Sequence, residues 1–106
     1  MADKGWKQYE RRIATLFGGK RRGPDTEGGK CDVICPGFAI ECKLLGAPTF
    51  SAMREAAKQA ERNARPHEMP IAIVKRKNID DLESLVVMRL ETFLEWFVTT
   101  DSREEL

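Results

Sequence analysis

Apolar residues in the first part of the chain recur at helical spacing. Trp6, Ile13, Ala14 and Phe17 share one stripe at about 100° per residue. Asp3 is placed to cap this helix and Gly18-Gly19 to stop it. Glu10 falls inside the stripe, so its carboxylate either holds its head in water at the stripe's edge or points towards a site. From Cys31 to Lys43 the pattern changes. Val33-Ile34-Cys35 and Phe38-Ala39-Ile40 flank Pro36-Gly37, which predicts two strands joined by a turn. After a loop over 44–48, Thr49 or Ser51 opens a second helix that runs to Pro66, with Met53, Ala56, Ala57, Ala60 and Ala64 along one side. That much alanine implies close packing on a sheet. Further strands are expected over 70–75 and 84–90, joined through Asn78-Ile79-Asp80-Asp81. Phe93, Leu94, Trp96 and Phe97 form a short apolar last helix. Helix, hairpin, helix, two strands and helix predict an α/β (α+β) fold: a central mixed sheet with an antiparallel hairpin, flanked by helices.

At 106 residues the chain reads as one domain over 1–106. With 42% apolar and 33% charged residues, it has the composition of a folded globular protein. No apolar run approaches the roughly 20 residues that cross a bilayer, and no charged-then-apolar leader opens the chain. A cytoplasmic or nucleoid location, with no membrane partner, is expected. Cys31, Cys35 and Cys42 are odd in number and lack the paired spacing of a zinc ribbon, so neither a disulfide framework nor zinc is expected. His67 follows Pro66 and reads as a loop residue. Charge is unevenly spread: residues 1–23 carry seven Lys/Arg against two acids, whereas residues 80–106 carry two against eight. Such a basic front suits a polyanion, although solvated surface charge would look the same. Within the loop over 20–30, Lys20, Arg21, Arg22 and Lys30 suit phosphate contacts and the glycines allow close approach. A merely solvated loop is the alternative.

With Pro36-Gly37 at the centre of the hairpin, Asp32 falls opposite Glu41 and Cys31 opposite Cys42. One face then receives Cys31, Val33, Cys35, Phe38, Ile40 and Cys42. The other receives Asp32, Ile34, Ala39, Glu41 and Lys43. Directly opposed side chains have Cβ atoms about 4.5–5.5 Å apart. Two carboxylates held that close repel, and without water one is driven to take up a proton. A divalent cation relieves the crowding, because Mg²⁺ prefers carboxylate oxygens and retains water. Asp32 and Glu41 are thus candidate ligands, joined by the backbone carbonyl of Cys42. Lys43, one pleat from the ion, would steady the attacking water or the charge developing on the phosphate. The competing reading is a solvent-facing strand pair in which Lys43 neutralises one acid.

These elements, in order, resemble the PD-(D/E)xK nuclease superfamily and, within it, the small archaeal-type Holliday junction resolvases. The matching residues are Glu10-Arg11, the basic stretch ending at Arg22, Gly28-Gly29-Lys30-Cys31-Asp32-Val33-Ile34, Ile40-Glu41-Cys42-Lys43 and Gln59-Ala60-Glu61. The resemblance implies a restriction-endonuclease-like core. It makes Asp32 and Glu41 metal ligands, Lys43 the catalytic lysine, Glu10 an aid to the metal site, Gln59 a flanking residue, and Arg11 and Arg22 phosphate contacts. The family's proline before the metal-binding aspartate is Cys31 here. A literal Pro24-Asp25 lies in the glycine-rich loop, which leaves Asp25 as the alternative first ligand. The expected activity is Mg²⁺-dependent hydrolysis of DNA, with Mn²⁺ as a substitute metal, branched DNA as substrate, and a role in recombination or repair. Two cuts in a branched substrate call for a homodimer. For its interface the last helix is a candidate, although packing of that helix on its own sheet is expected first. The rival readings are a nicking, homing-type or repair endonuclease of the same superfamily, a DNA-binding module without activity, and a small domain with no nucleic-acid role.

Overall fold

A computed structural model describes residues 5–21 and 32–98 of the chain. Helix α1 spans Gly5–Leu16, strand β1 Lys20–Arg21, β2 Val33–Cys35, β3 Phe38–Leu45, helix α2 Phe50–Asn63, β4 Met69–Arg76, β5 Leu85–Val87 and helix α3 Leu90–Phe97, with one 3₁₀ turn at Asp81–Glu83 before β5. The five strands form one mixed sheet in the order β1-β2-β3-β4-β5. β3 and β4 run parallel over their full length, from Phe38 beside Met69 to Leu45 beside Arg76, and α2 makes the crossover between them. All other neighbours are antiparallel.

Both faces of the two central strands are covered, so β4 is buried continuously from Pro70 to Lys75 instead of alternating. On one face α1 sets Tyr9, Ile13 and Ala14 against Val33, Cys35, Ile40, Cys42, Ile71 and Ile73. On the other, the alanine side of α2 lets the helix lie close to Ala72 and Val74. Thr49 caps α2, its Oγ1 accepting the Ala52 N–H at 3.1 Å. Cys35 and Cys42 are buried free thiols, as the face assignment required, while Cys31 lies outside the described residues. His67 sits exposed in a turn with φ of 76°. Among the described residues, no helix is long and apolar enough to cross a membrane.

Three expectations need correction. The buried stripe of α1 is centred on Tyr9, with Trp6 at its edge and 46% exposed. Tyr9 can be fully buried because Ser84 Oγ lies 2.7 Å from its hydroxyl, which removes the cost of an unpaired phenol. The strand expected over 84–90 is only Leu85–Val87. Arg89 leaves the sheet to clasp Glu61 of α2 through Nε and Nη2 (2.8 and 2.7 Å), and Thr92 Oγ1 donates to the same carboxylate at 2.8 Å. Those polar ties anchor α3 to α2, and the helix covers the sheet only loosely: Phe93 and Phe97 line a cavity with Phe17, Phe38, Met69 and Ile71. Thr92 is its one buried residue, while Leu90 and Phe97 are 72% and 58% exposed.

Asp81, in the turn before β5, ties β4 and α1 together through one half-buried and one exposed ion pair. Lys75 Nζ donates to Asp81 Oδ1 and to the Ile79 carbonyl, both at 2.8 Å, and Arg12 forks onto the same carboxylate. At the opposite edge Gly19 lies against β2, and any Cβ there would collide with the Ile34 carbonyl oxygen. Gly19→Ala is therefore expected to lower stability by about 1–3 kcal/mol, the usual range for overpacking. Urea denaturation checks this, and a midpoint equal to that of the unmodified chain would contradict the packing described.

Candidate active site

The site is built where β2 begins beside β3. Gly37 holds φ at 88°, the left-handed value that the third position of a Pro-Gly turn requires, and the hairpin closes with Cys35 beside Phe38 and Val33 beside Ile40. Asp32 does not continue this ladder. Its N–H donates to the Ile40 carbonyl at 3.1 Å, the residue Val33 already faces, so the chain shifts by one as at a bulge. The expected ladder pairing of Asp32 with Glu41 is therefore replaced by a side-chain meeting. Asp32 Oδ2 accepts the Cys42 N–H at 2.9 Å, which puts the carboxylate at the edge of β3, in the position a continuing strand would have filled. A residue's N–H and C=O face the same side of a strand, so the Cys42 carbonyl faces that edge too.

Glu41 reaches Asp32 from the α2 face. It is only 1% exposed, and Asn63 Nδ2 donates to its Oε1 at 3.0 Å. Burial pushes its carboxyl up to about 7; the Asp32 charge and a hydrogen bond to Asp32 add to the rise, while Asn63 and the Lys43 ammonium oppose it. Glu10 approaches from the α1 face and is also buried. Burial first, and the Asp32 charge second, raise its carboxyl; Arg21 opposes this with an Nε to Oε1 contact of 3.1 Å. Asp32 is thus the shared neighbour of two buried acids that come from opposite sides of the sheet. The Cys42 thiol, amid these carboxylates and well buried, is pushed far above its ordinary range and stays neutral.

The other candidates divide clearly. Lys43 lies one pleat beyond Glu41 on the same face, half-buried. Gln59 is half-buried on α2, one turn before Asn63. Arg11 and Lys20 are exposed, on α1 and β1. Arg21, expected to meet phosphate, instead pairs with Glu10. Arg22, Lys30 and the alternative ligand Asp25 lie outside the described residues, as does the Gly28-Gly29 pair. The residue that sequence reasoning missed is Asn63. It follows Ala56 and Ala60 along the buried side of α2, and a carboxamide on such a side has to find a polar partner.

Among the described residues, no three His, Cys, Asp or Glu side chains are grouped to share one ion. The donor set is two carboxylates, Asp32 and Glu41, with the Cys42 carbonyl beside them. That set still fits Mg²⁺, which commonly takes one or two carboxylates and completes its shell with water and substrate phosphate. No family model, curated protein or solved structure matches the chain.

The raised Glu41 pKa makes a prediction about stability. Its unfolded value lies near 4.5 and its folded value near 7, so between them the folded state binds more protons. Without divalent cations, stability is expected to fall as pH rises through that window, by on the order of 3 kcal/mol. Glu41→Gln should flatten the fall. Urea denaturation at intervals across the window, in EDTA, measures it; an equally steep fall in the Gln variant would assign the effect to another group.

Proposed function

We propose that the chain is a metal-dependent phosphodiester hydrolase of the PD-(D/E)xK type, with a restriction-endonuclease-like arrangement of its sheet. Within that class the reading is a structure-specific DNA endonuclease, similar to the archaeal-type Holliday junction resolvases and acting in recombination or repair. The observation that carries it is the meeting of Asp32 and Glu41, at the start of β2, with Lys43 on the face of Glu41. Asp32, Glu41 and the Cys42 carbonyl would hold Mg²⁺, or Mn²⁺ in its place. When bound, the ion supplies Lewis acidity and a water of lowered pKa.

The chain's own groups do the rest. Asn63 orients the Glu41 carboxyl, and the Cys42 N–H orients that of Asp32. The Lys43 ammonium offsets negative charge that grows on the phosphate oxygens. Arg21 opposes the rise of the Glu10 carboxyl beside Asp32, and exposed Arg11 and Lys20 meet flanking phosphates.

The test is incubation of a labelled four-way junction, a flap and a linear duplex with Mg²⁺, Mn²⁺ or EDTA. Cleavage is expected with either metal and none with EDTA. Asp32→Asn and Glu41→Gln, which keep the shape of each side chain, should each lose at least roughly 10²-fold, more than loss of a supporting residue costs. Full activity in Asp32→Asn would refute the site. DNA binding that weakens with salt, without product in either metal, would identify a binding module instead. Preferential cutting of linear duplex would move the reading to a nicking or homing-type enzyme.

Paired cuts across a branch need two sites, and we place the second in another copy of the chain. The exposed side chains of α3 and β5 (Leu85, Val86, Leu90, Phe93, Trp96 and Phe97) supply an apolar surface for that contact. Light scattering after size exclusion is expected to give twice the 12.0 kDa chain mass. Leu90→Glu should halve it. A monomeric unmodified chain at assay concentration would remove the dimer from the proposal.

A further inference from the structure

We propose that Trp6 is a stacking platform for an unstacked nucleobase of the DNA strand that enters the carboxylate site; this rests on the nuclease reading above. Trp6 stands one helical turn before Glu10 on α1. The core contacts of that helix are made by Tyr9, Ile13 and Ala14, and Trp6 is left 46% exposed. Two cations attend its ring. Lys7 Nζ lies 5.5 Å from the ring centroid and Arg21 Cζ lies 5.8 Å from it. The Arg21 guanidinium that faces Trp6 also holds Glu10, with Nε 3.1 Å from Oε1. One guanidinium group therefore separates the indole from a carboxylate that senses Asp32.

With Lys7 and Arg21 over a ring that is 46% exposed, a base stacks on the indole by taking the place of one cation, which then meets the backbone phosphate. Lys7 is available for a phosphate beside the stacked base. A base inside continuous duplex is covered on both faces by its neighbours and has no surface to offer the indole. A base at a gap, fork or crossover has one. Trp6 would thus select DNA with an unstacked nucleotide next to the bond to be cut, and Arg21 would link occupancy of the platform to Glu10. A surface tryptophan pinned by cation–π contacts alone is the competing account, and it predicts no change in the indole when DNA binds.

The chain holds two tryptophans, so Trp96→Phe leaves Trp6 as the sole indole reporter. This protein is titrated in EDTA with a gapped duplex and with a continuous duplex of equal length, and binding is followed separately by anisotropy of labelled DNA. Quenching of Trp6 is expected with gapped DNA, saturating with the anisotropy curve, and no quenching with continuous duplex. Trp6→Ala should weaken gapped-DNA binding roughly tenfold, the scale of one base stacked on an aromatic ring. It should leave duplex binding unchanged, and Trp6→Phe should restore most of the loss. Gapped DNA that binds without quenching, equal affinity in Trp6→Ala, or no binding of either DNA would overturn the platform. Quenching and the Trp6→Ala loss in a chain that cuts nothing would uphold the platform and sink the nuclease reading; cleavage without quenching would do the reverse.

Discussion

The constraint on which the site depends is the meeting of two carboxyl groups, Asp32 just before β2 and Glu41 within β3, a strand whose faces are both covered. Burial alone would raise one acid; adding a neighbouring acid raises it further, and Glu41 sits near 7 as a result. Nothing in the packing of α2 on the sheet requires a carboxylate there. Ala72 and Val74, on the same face of the neighbouring strand, show what packing alone selects. By leaving the register at Val33, the chain brings the Asp32 carboxylate to the edge of β3, where the Cys42 N–H receives it.

Much of the rigidity behind this geometry lies in the parallel pairing of β3 with β4. Eight consecutive residue pairs hold Glu41 beside Ala72 and Lys43 beside Val74, with helices on either side. A charged group on such a strand has little freedom to move away from its neighbours. The polar supports follow the same logic: Asn63 comes from α2, Arg21 from β1, and each arrives already tied to an acid. Groups positioned in advance reorganise little when charge develops during a reaction.

The hairpin was readable in the chain because its signal is local. A Pro-Gly turn flanked by alternating residues sets a register, and the Cys35–Phe38 and Val33–Ile40 pairs follow it. Helix α2 was readable from its alanine side and its threonine cap. What was not readable depends on contacts distant in sequence. Tyr9 is buried because Ser84, 75 residues away, meets its hydroxyl, and no periodicity within α1 could distinguish it from Trp6. Helix α3 is anchored to α2 by Arg89 and Thr92 on Glu61, ties that its apolar composition did not announce. Asn63 and Arg21 were hidden for the same reason: a polar residue's partner is chosen by the fold, not by its neighbours in the chain.

Whether the acids could be balanced from within the protein can be decided by counting the nearby cations. Arg21 is held by Glu10, and even so the Glu10 carboxyl stays above its ordinary value. Lys43 and Asn63 both act to lower Glu41, yet burial and Asp32 outweigh them. Lys75, a buried cation of the sheet, is committed to Asp81 on the far side of Tyr9. The cations beside the acids, Arg21 and Lys7 at Glu10 and Lys43 at Glu41, thus oppose the rise of both carboxyls without cancelling it. Near neutral pH the Glu41 carboxyl can relieve that residual rise by keeping its proton or by meeting a cation from solution. A proton gives no advantage that a glutamine at position 41 would not give more cheaply. The Mg²⁺ of the proposed function would draw on both carboxylates at once.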